Sequence, residues 1–125
     1  MSAAMSDINI TRSYDVDMGV SYSVTKAALN STVSKFSAQY RGQGVLFMCI
    51  CPGTVDTGTP GHMTENEKEA AARLTGKFKE YAPHFTGPSS PRDSVRSVLA
   101  VIDKASVEAG DGGSFVSHKG NSQWL

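Results

Sequence analysis

Tyr22 and Lys26 are the two side chains of this 125-residue sequence whose types and spacing could do chemistry together. In an α-helix, residues four apart lie on one face, so a helix that begins near Tyr22 would place the phenol beside the ammonium. A neighbouring cation favours a phenolate and makes a phenol a usable acid or base near neutral pH. An isolated Tyr-x-x-x-Lys is more often a packed tyrosine and a solvated lysine, so the surrounding elements decide its meaning.

The element that would position this pair is a helix over about residues 21–40. Apolar side chains recur along it with the spacing of one helical face. They are Leu29, Val33, Phe36 and Tyr40. Tyr22 and Lys26 fall on the same face, so we expect that face to pack on a sheet. Gly42 and Gly44 end the helix.

A continuous apolar run over residues 45–51, bounded by Gly44 and Pro52, follows the helix. Such a run is typical of a strand that is buried on both faces of a parallel sheet. Residues 54–57 would then lie at the carboxyl end of the strand, where ligands bind in open α/β sheets. Asp56 either orients this loop or is simply exposed.

These parts, in this order, resemble the short-chain dehydrogenase/reductase family. The matching motifs are Tyr-x-x-x-Lys-Ala-Ala at residues 22–28 and Pro-Gly-x-Val-x-Thr at residues 52–57, separated by the helix and the strand. The resemblance covers nearly the whole chain, as the C-terminal half of such an enzyme, and the tail over residues 112–118 looks most like fungal members. It implies an α/β, partial Rossmann-like (doubly wound) fold in one domain over residues 1–125.

The resemblance also implies site roles. Tyr22 would exchange a proton with the carbonyl or alcohol oxygen of a small molecule, while Lys26 would assist it and hold the nicotinamide ribose. The other residues that would bind NAD(P) are Pro52, Gly53, Val55 and Thr57. The catalytic serine of the family matches Ser2 best, with Ser6 and Ala3 as alternatives, although Ser2 could equally be an ordinary loop residue.

The Gly-rich turn with which this family holds the cofactor pyrophosphate is not found in the sequence. We therefore expect NAD(P) to bind this chain weakly when it is alone. Three functions stay open: an NAD(P)-dependent oxidoreductase that this chain represents by its C-terminal half, a cofactor-independent isomerase or cyclase that uses the same acid/base pair, and a non-catalytic remnant or partner subunit of a longer homologue.

Residues 58–91 are expected to form a lid that selects the substrate. Thr64 and Glu67 have the spacing of a capping box, which starts a polar helix over about residues 65–81. Three histidines lie in or after this segment and share no spacing typical of metal ligands. They are His62, His84 and His118, and all are interpreted as surface or lid residues, with no metal expected.

The two ends of the chain carry weaker signals. Ser90-Pro91 predicts the start of a helix that continues towards Gly110, followed by a short strand over residues 114–117. The buried stripe of that helix is predicted to be Val95, Val98, Leu99 and Ile102. Residues 1–21 contain no convincing helix, and the alternation over residues 8–11 favours a short extended piece.

Composition excludes several classes of protein. The 12 basic and 12 acidic residues cancel, so we expect neither a nucleic-acid nor a membrane partner. The longest apolar run is too short to cross a bilayer, and the N-terminus lacks a signal-peptide pattern. Cys49 and Cys51 are interpreted as reduced core thiols, which predicts a cytoplasmic protein.

The strand over residues 45–51 also predicts association. In a C-terminal half, this strand would lack one neighbour, and its edge would present unpaired N–H and C=O groups to other chains. We therefore expect a homo-oligomer or an association with a longer homologue.

Overall fold

The computed structural model describes residues 1–58, 61 and 63–125. These residues form four α-helices and two short strands. The helices are Ile8–Tyr14 (α1), Val20–Tyr40 (α2), Glu65–Tyr81 (α3) and Pro91–Ile102 (α4), and the strands are Cys49–Cys51 (β1) and Phe115–Ser117 (β2). None of the helices in the described part of the chain is long and apolar enough to cross a membrane.

The two strands are parallel, with Ile50 opposite Val116. A long crossover that contains α3 and α4 joins them, as parallel pairing requires. On the other side of β1, the backbone N–H of Ser2 donates to the carbonyl of Ile50 at 2.8 Å. The predicted α/β class with parallel strands is therefore confirmed. The edge of β1 that was expected to be open is partly occupied by the N-terminal segment.

The strand predicted over residues 45–51 is shorter than expected. Only Cys49–Cys51 is a strand, and all three of its residues are buried. Ladder-like pairing extends back to Phe47, whose carbonyl accepts from the N–H of Gly113 at 2.7 Å. Val45, which lies outside this strand, is 41% exposed. The boundary was wrong because apolar character alone does not say where a pairing partner ends.

The expectation of no helix before residue 21 was also wrong, since α1 forms there. The Asp7 carboxylate accepts from the N–H of Asn9 at 2.8 Å and caps the first turn. Ile8 is 78% exposed whereas Ile10 is buried, so the apolar alternation did not mark one face of a strand. Ile10 belongs instead to the core around Trp124, and this tertiary contact stabilises a helix too short to persist alone.

The predicted apolar stripe of α2 is confirmed in part, since Leu29, Val33 and Tyr40 are half-buried. Phe36 of that stripe is 44% exposed, while the most buried residue of the helix is Ser37, at 1% exposure. A Cβ on Gly112 would lie 2.8 Å from the Ser37 hydroxyl oxygen. The helix therefore approaches the glycine turn before β2 so closely that small residues, not large apolar ones, fill the contact.

Helix α3 begins as predicted, because the capping box of Thr64 and Glu67 is present. The Glu67 carboxylate accepts hydrogen bonds from the backbone N–H of Thr64 and from the Thr64 hydroxyl. These two bonds hold the pKa of Glu67 below its usual value. Near its other end, Leu74 and Tyr81 of α3 pack against the core around Trp124. The segment over residues 58–91 is thus anchored to the body of the protein along part of its length.

Helix α4 begins at Pro91, with the Ser90 hydroxyl accepting from the N–H of Asp93 as a cap. It ends at Ile102, well before Gly110. The predicted stripe was wrong in part: Val98 is buried together with Ser94, whereas the other three residues of the stripe face outward. Their exposed fractions are 57% for Val95, 51% for Leu99 and 45% for Ile102. A hydrogen bond of 2.9 Å from the Ser94 hydroxyl to the Pro52 carbonyl fixes which side of α4 faces the sheet.

Candidate active site

Tyr22 and Lys26 lie side by side at the start of α2. The helix begins at Val20, so both side chains project from its first two turns. The Lys26 ammonium lies 5.7 Å from the centroid of the Tyr22 ring and donates a hydrogen bond of 3.2 Å to the Met1 carbonyl. Tyr22 is 50% exposed, so its hydroxyl is accessible to a small molecule. The predicted one-turn spacing is what brings the two groups together.

A cavity of about 190 Å³ opens beside Tyr22 at the carboxyl end of β1; we call it the Tyr22 cavity. Its wall combines the N-terminal segment, the loop after β1, α3 and the C-terminal tail. Residues that line it include Ser2, Ala3, Pro52, Gly53, Phe78 and Trp124. The position at the end of a parallel strand is where ligands bind in open α/β sheets.

Ser2 is the best placed of the three candidates for the catalytic serine. It is 3% exposed, and its hydroxyl oxygen is buried with no hydrogen-bond partner among the described residues. The Ser6 hydroxyl is already used, since it donates to the Ala3 carbonyl and accepts from the Asn30 amide. Ala3 lines the cavity but has no side-chain donor. A buried hydroxyl without a partner costs stability, so this oxygen has unused capacity for a hydrogen bond.

The Pro52-Gly53 turn and the residue after it are held by two distant segments of the chain. Gly53 has φ +78°, and a Cβ there would lie 2.9 Å from the ring of His118. Both the backbone conformation and this close approach require glycine. The next residue, Thr54, accepts through its carbonyl from the N–H of Ser89 at 2.9 Å. The loop is therefore held from two directions at the edge of the Tyr22 cavity.

Not every predicted cofactor residue lies at this cavity. Pro52 and Gly53 line it, whereas Val55 and Thr57 do not. Val55 forms an isolated parallel bridge with Ser89, and Thr57 is exposed. Asp56 is exposed, as one of its two interpretations held, and its carboxylate accepts from the N–H of Gly58 at 3.0 Å.

His118 is a residue beside the site that the sequence pattern missed. The expected surface position is wrong, because the ring is half-buried against Gly53 and its Nδ1 has no partner among the described residues. Burial lowers the pKa of His118, and the charge of Lys119 lowers it further. No spacing motif links residues 53 and 118, so only the fold could reveal the contact. His84 is exposed, and His62 lies outside the described residues.

Two thiols lie under the site. Cys49 and Cys51 are free and buried, and burial raises the pKa of each. Cys51 lines the Tyr22 cavity, where its thiol stays neutral and adds to the apolar wall. Within the described ranges, no group of three or more side chains could hold a metal ion.

The residues present fit one end of a nicotinamide dinucleotide. An unpartnered Ser2 hydroxyl, the accessible Tyr22 phenol and the neighbouring Lys26 ammonium offer hydrogen bonds to a carbonyl and to ribose hydroxyls. The rest of the dinucleotide has no equivalent support, because the sequence contains no Gly-rich turn for the pyrophosphate.

Comparison with known proteins places this geometry in context. No family model matches the sequence. Over its whole length it is 44% identical to the short chain dehydrogenase virK of Hypocrea virens, 40% identical to the short-chain dehydrogenase/reductase AacuF of Aspergillus aculeatus and 38% identical to the short-chain dehydrogenase/reductase iacC of Pestalotiopsis fici. The chain covers 46%, 47% and 46% of these proteins respectively, so it spans about half their length.

The fold agrees with a solved structure. The NADPH-bound carbonyl reductase from chicken fatty liver superimposes with a TM-score of 0.65 at 22% identity, over 96% of this chain and 39% of that one. The chain is thus an α/β protein with part of a Rossmann-like fold. It belongs to the short-chain dehydrogenase/reductase family, and its sequence corresponds to the C-terminal part. The resemblance drawn from the motifs is confirmed.

Proposed function

We propose that the protein is an oxidoreductase that interconverts a carbonyl and an alcohol of a small molecule with NAD(P). The observation that carries this proposal is the presence of Tyr22 and the unpartnered Ser2 hydroxyl on one cavity, with Lys26 beside the phenol. The names of the relatives support oxidoreductase chemistry at the level of the family.

In carbonyl reduction, Tyr22 would donate its phenolic proton to the substrate oxygen. The Ser2 hydroxyl would donate a hydrogen bond to the same oxygen and stabilise the negative charge that develops there. The ammonium of Lys26 would stabilise the phenolate left on Tyr22. Nicotinamide, when bound, supplies the hydride. Pro52 and Gly53 would line the nicotinamide end of the site.

Completion of the site requires groups that this sequence does not contain, so the activity is proposed for the chain together with a dinucleotide-binding half. The test is to mix the chain with the separately produced N-terminal half of the 44% identical relative and to follow NADPH oxidation with carbonyl substrates. We expect turnover in the mixture and none with the chain alone.

The matched variants are Tyr22→Phe and Tyr40→Phe, each of which removes one phenolic hydroxyl. Tyr40 packs with Phe36 and Phe47, away from the Tyr22 cavity. We expect Tyr22→Phe to lower turnover about 10²–10⁴-fold, as loss of an acid/base group does, and Tyr40→Phe to retain it. An active Tyr22→Phe enzyme would refute the assignment.

A second candidate is a cofactor-independent isomerase or cyclase. It is favoured by the combination of a paired Tyr22 and Lys26 with a sequence that lacks the pyrophosphate turn. Proton exchange at the carbon next to a carbonyl, measured by deuterium uptake without nucleotide, distinguishes the two functions. Uptake that Tyr22→Phe abolishes would support this candidate over hydride transfer.

We also propose that the chain associates with a second copy or with a longer homologue. Val95, Leu99 and Ile102 form an outward apolar stripe on α4, and exposed apolar area of this kind marks interfaces. Size-exclusion chromatography with light scattering at micromolar concentration should show an oligomer, and Leu99→Ser should weaken it. A monomer with a cooperative thermal transition would contradict the proposal.

A further inference from the structure

We infer that the substrate is an apolar, ring-containing ketone or the corresponding alcohol, whose ring system lies under α3 while its oxygen reaches Tyr22. This inference rests on the proposed function. It starts from a second cavity, of about 340 Å³, between α3 and the loop over residues 85–88, here called the α3 cavity.

The two cavities adjoin. Thr54 and Phe78 line both the Tyr22 cavity and the α3 cavity. Pockets for organic ligands usually measure about 300–1,000 Å³, so the Tyr22 cavity alone, at about 190 Å³, holds only a small fragment. A larger substrate with its carbonyl at Tyr22 must therefore extend past Thr54 and Phe78 into the α3 cavity.

The wall of the α3 cavity favours rings. Phe78 and Phe85 meet edge to face, with ring centroids 6.1 Å apart and planes at 85°. Leu74 and Pro88 add aliphatic surface. An aromatic guest can continue this edge-to-face arrangement, which is worth more than the burial of its area alone. A polyol would find few hydrogen-bond partners on the same wall.

The polar groups of the cavity are few and suit a neutral or phenolic ligand. They are the hydroxyls of Thr54, Thr75 and Thr86 and the ammonium of Lys79. Among the described lining residues there is no carboxylate, so nothing there would pair with a cationic substrate. A third cavity, beyond Gly53, is lined by His84, Ser89 and His118 and would suit a polar ligand, but it measures only about 190 Å³.

Binding can be measured without cofactor or turnover, because the single tryptophan of the sequence, Trp124, lies in the wall of the Tyr22 cavity. The chain is titrated with 1-tetralone, cyclohexanone and dihydroxyacetone while Trp124 fluorescence is followed, with calorimetry as the second readout. We expect saturable binding of 1-tetralone with a Kd at least about tenfold below that of cyclohexanone, owing to its additional apolar area. Dihydroxyacetone should bind more weakly than both.

The variants are two neighbouring alanines of α3. Ala71 lines the α3 cavity, whereas Ala72, exposed on the same helix, lines neither this cavity nor the Tyr22 cavity. Leucine is a good helix former, so neither Ala→Leu change should unfold α3, and circular dichroism checks this. Ala71→Leu fills the cavity and should raise the Kd of 1-tetralone at least about fivefold while leaving that of cyclohexanone unchanged. Ala72→Leu should change neither.

The outcomes separate this inference from the proposed function. Absence of 1-tetralone binding, no preference over cyclohexanone, or equal Kd values for Ala71→Leu and Ala72→Leu would overturn the inference. Turnover of small ketones in the complemented enzyme would then leave the proposed function standing. Conversely, the expected binding pattern without any turnover would overturn the oxidoreductase function and keep the ligand class.

Discussion

The Tyr22 cavity and the cluster around Trp124 share a wall but differ in how their polar groups are hydrogen-bonded. In the cluster, the Trp124 indole N–H donates to the Asp7 carboxylate at 2.9 Å, and its backbone N–H donates to the Tyr81 hydroxyl at 3.1 Å. In the cavity, the Ser2 hydroxyl has no partner among the described residues, and Tyr22 is half exposed. Paired polar groups stabilise the fold, whereas an unpaired one beside a cavity is available for binding.

The largest effect on stability is expected when Trp124, which belongs to both the cavity wall and the cluster, is replaced. Trp124 is 3% exposed and stacks on Phe115, with centroids 4.4 Å apart. Trp124→Ala should lower the free energy of unfolding by about 3–5 kcal/mol, because a large buried ring and the indole hydrogen bond to Asp7 are lost. Phe36→Ala, at a site that is 44% exposed, should cost about 1 kcal/mol or less. Denaturant unfolding measures both, and equal losses would contradict the view that Trp124 is the centre of the core.

Two serines test the contrast directly. The hydroxyl of Ser117, which is fully buried, accepts from the N–H of Lys119 and donates to the Asn121 side chain. Ser117→Ala should therefore cost about 1–2 kcal/mol of unfolding free energy, since it removes both of these buried hydrogen bonds. Ser2→Ala should leave stability unchanged or raise it by about 1 kcal/mol, because it removes an unpaired hydroxyl.

In the complemented enzyme, the same Ser2→Ala change should lower turnover about 10²-fold, as loss of one donor to a developing oxyanion does. Thermal unfolding and NADPH oxidation give the two readouts. A Ser2→Ala protein that is both less stable and fully active would make Ser2 a structural residue and remove the contrast.

The smallest effect concerns His118, which borders the Tyr22 cavity but belongs neither to its lining nor to the cluster around Trp124. Burial lowers the pKa of His118 in the folded chain, so the unfolded chain takes up the proton more readily. Stability is therefore highest above the unfolded pKa of about 6.5 and falls as the pH drops through that value. This loss of stability lowers the melting temperature at acidic pH. His118→Gln should make that decrease smaller by a few degrees at most, whereas His84→Gln, at an exposed position, should not change it. Identical pH profiles for all three proteins would show that His118 stays accessible to water.

The sequence by itself determined the parts of the site that depend on local spacing. The interval between Tyr22 and Lys26 fixes their adjacency, because a helix repeats its faces every three or four residues whatever surrounds it. The capping box of Thr64 and Glu67 and the cap at Ser90 fixed the starts of α3 and α4 for the same reason. The family, too, could be recognised from motif order alone.

Only the tertiary structure decided which faces are buried and which distant residues meet. Ser37, not Phe36, is the buried residue of α2, because Gly112 lets the turn before β2 approach the helix. Likewise, Ser2 reaches the Tyr22 cavity through its pairing with Ile50, and the His118 ring contacts Gly53 at the edge of this cavity because Gly53 has no side chain. A helix can be specified by contacts within four residues, but burial depends on which surface arrives from elsewhere in the chain, and no local pattern encodes that.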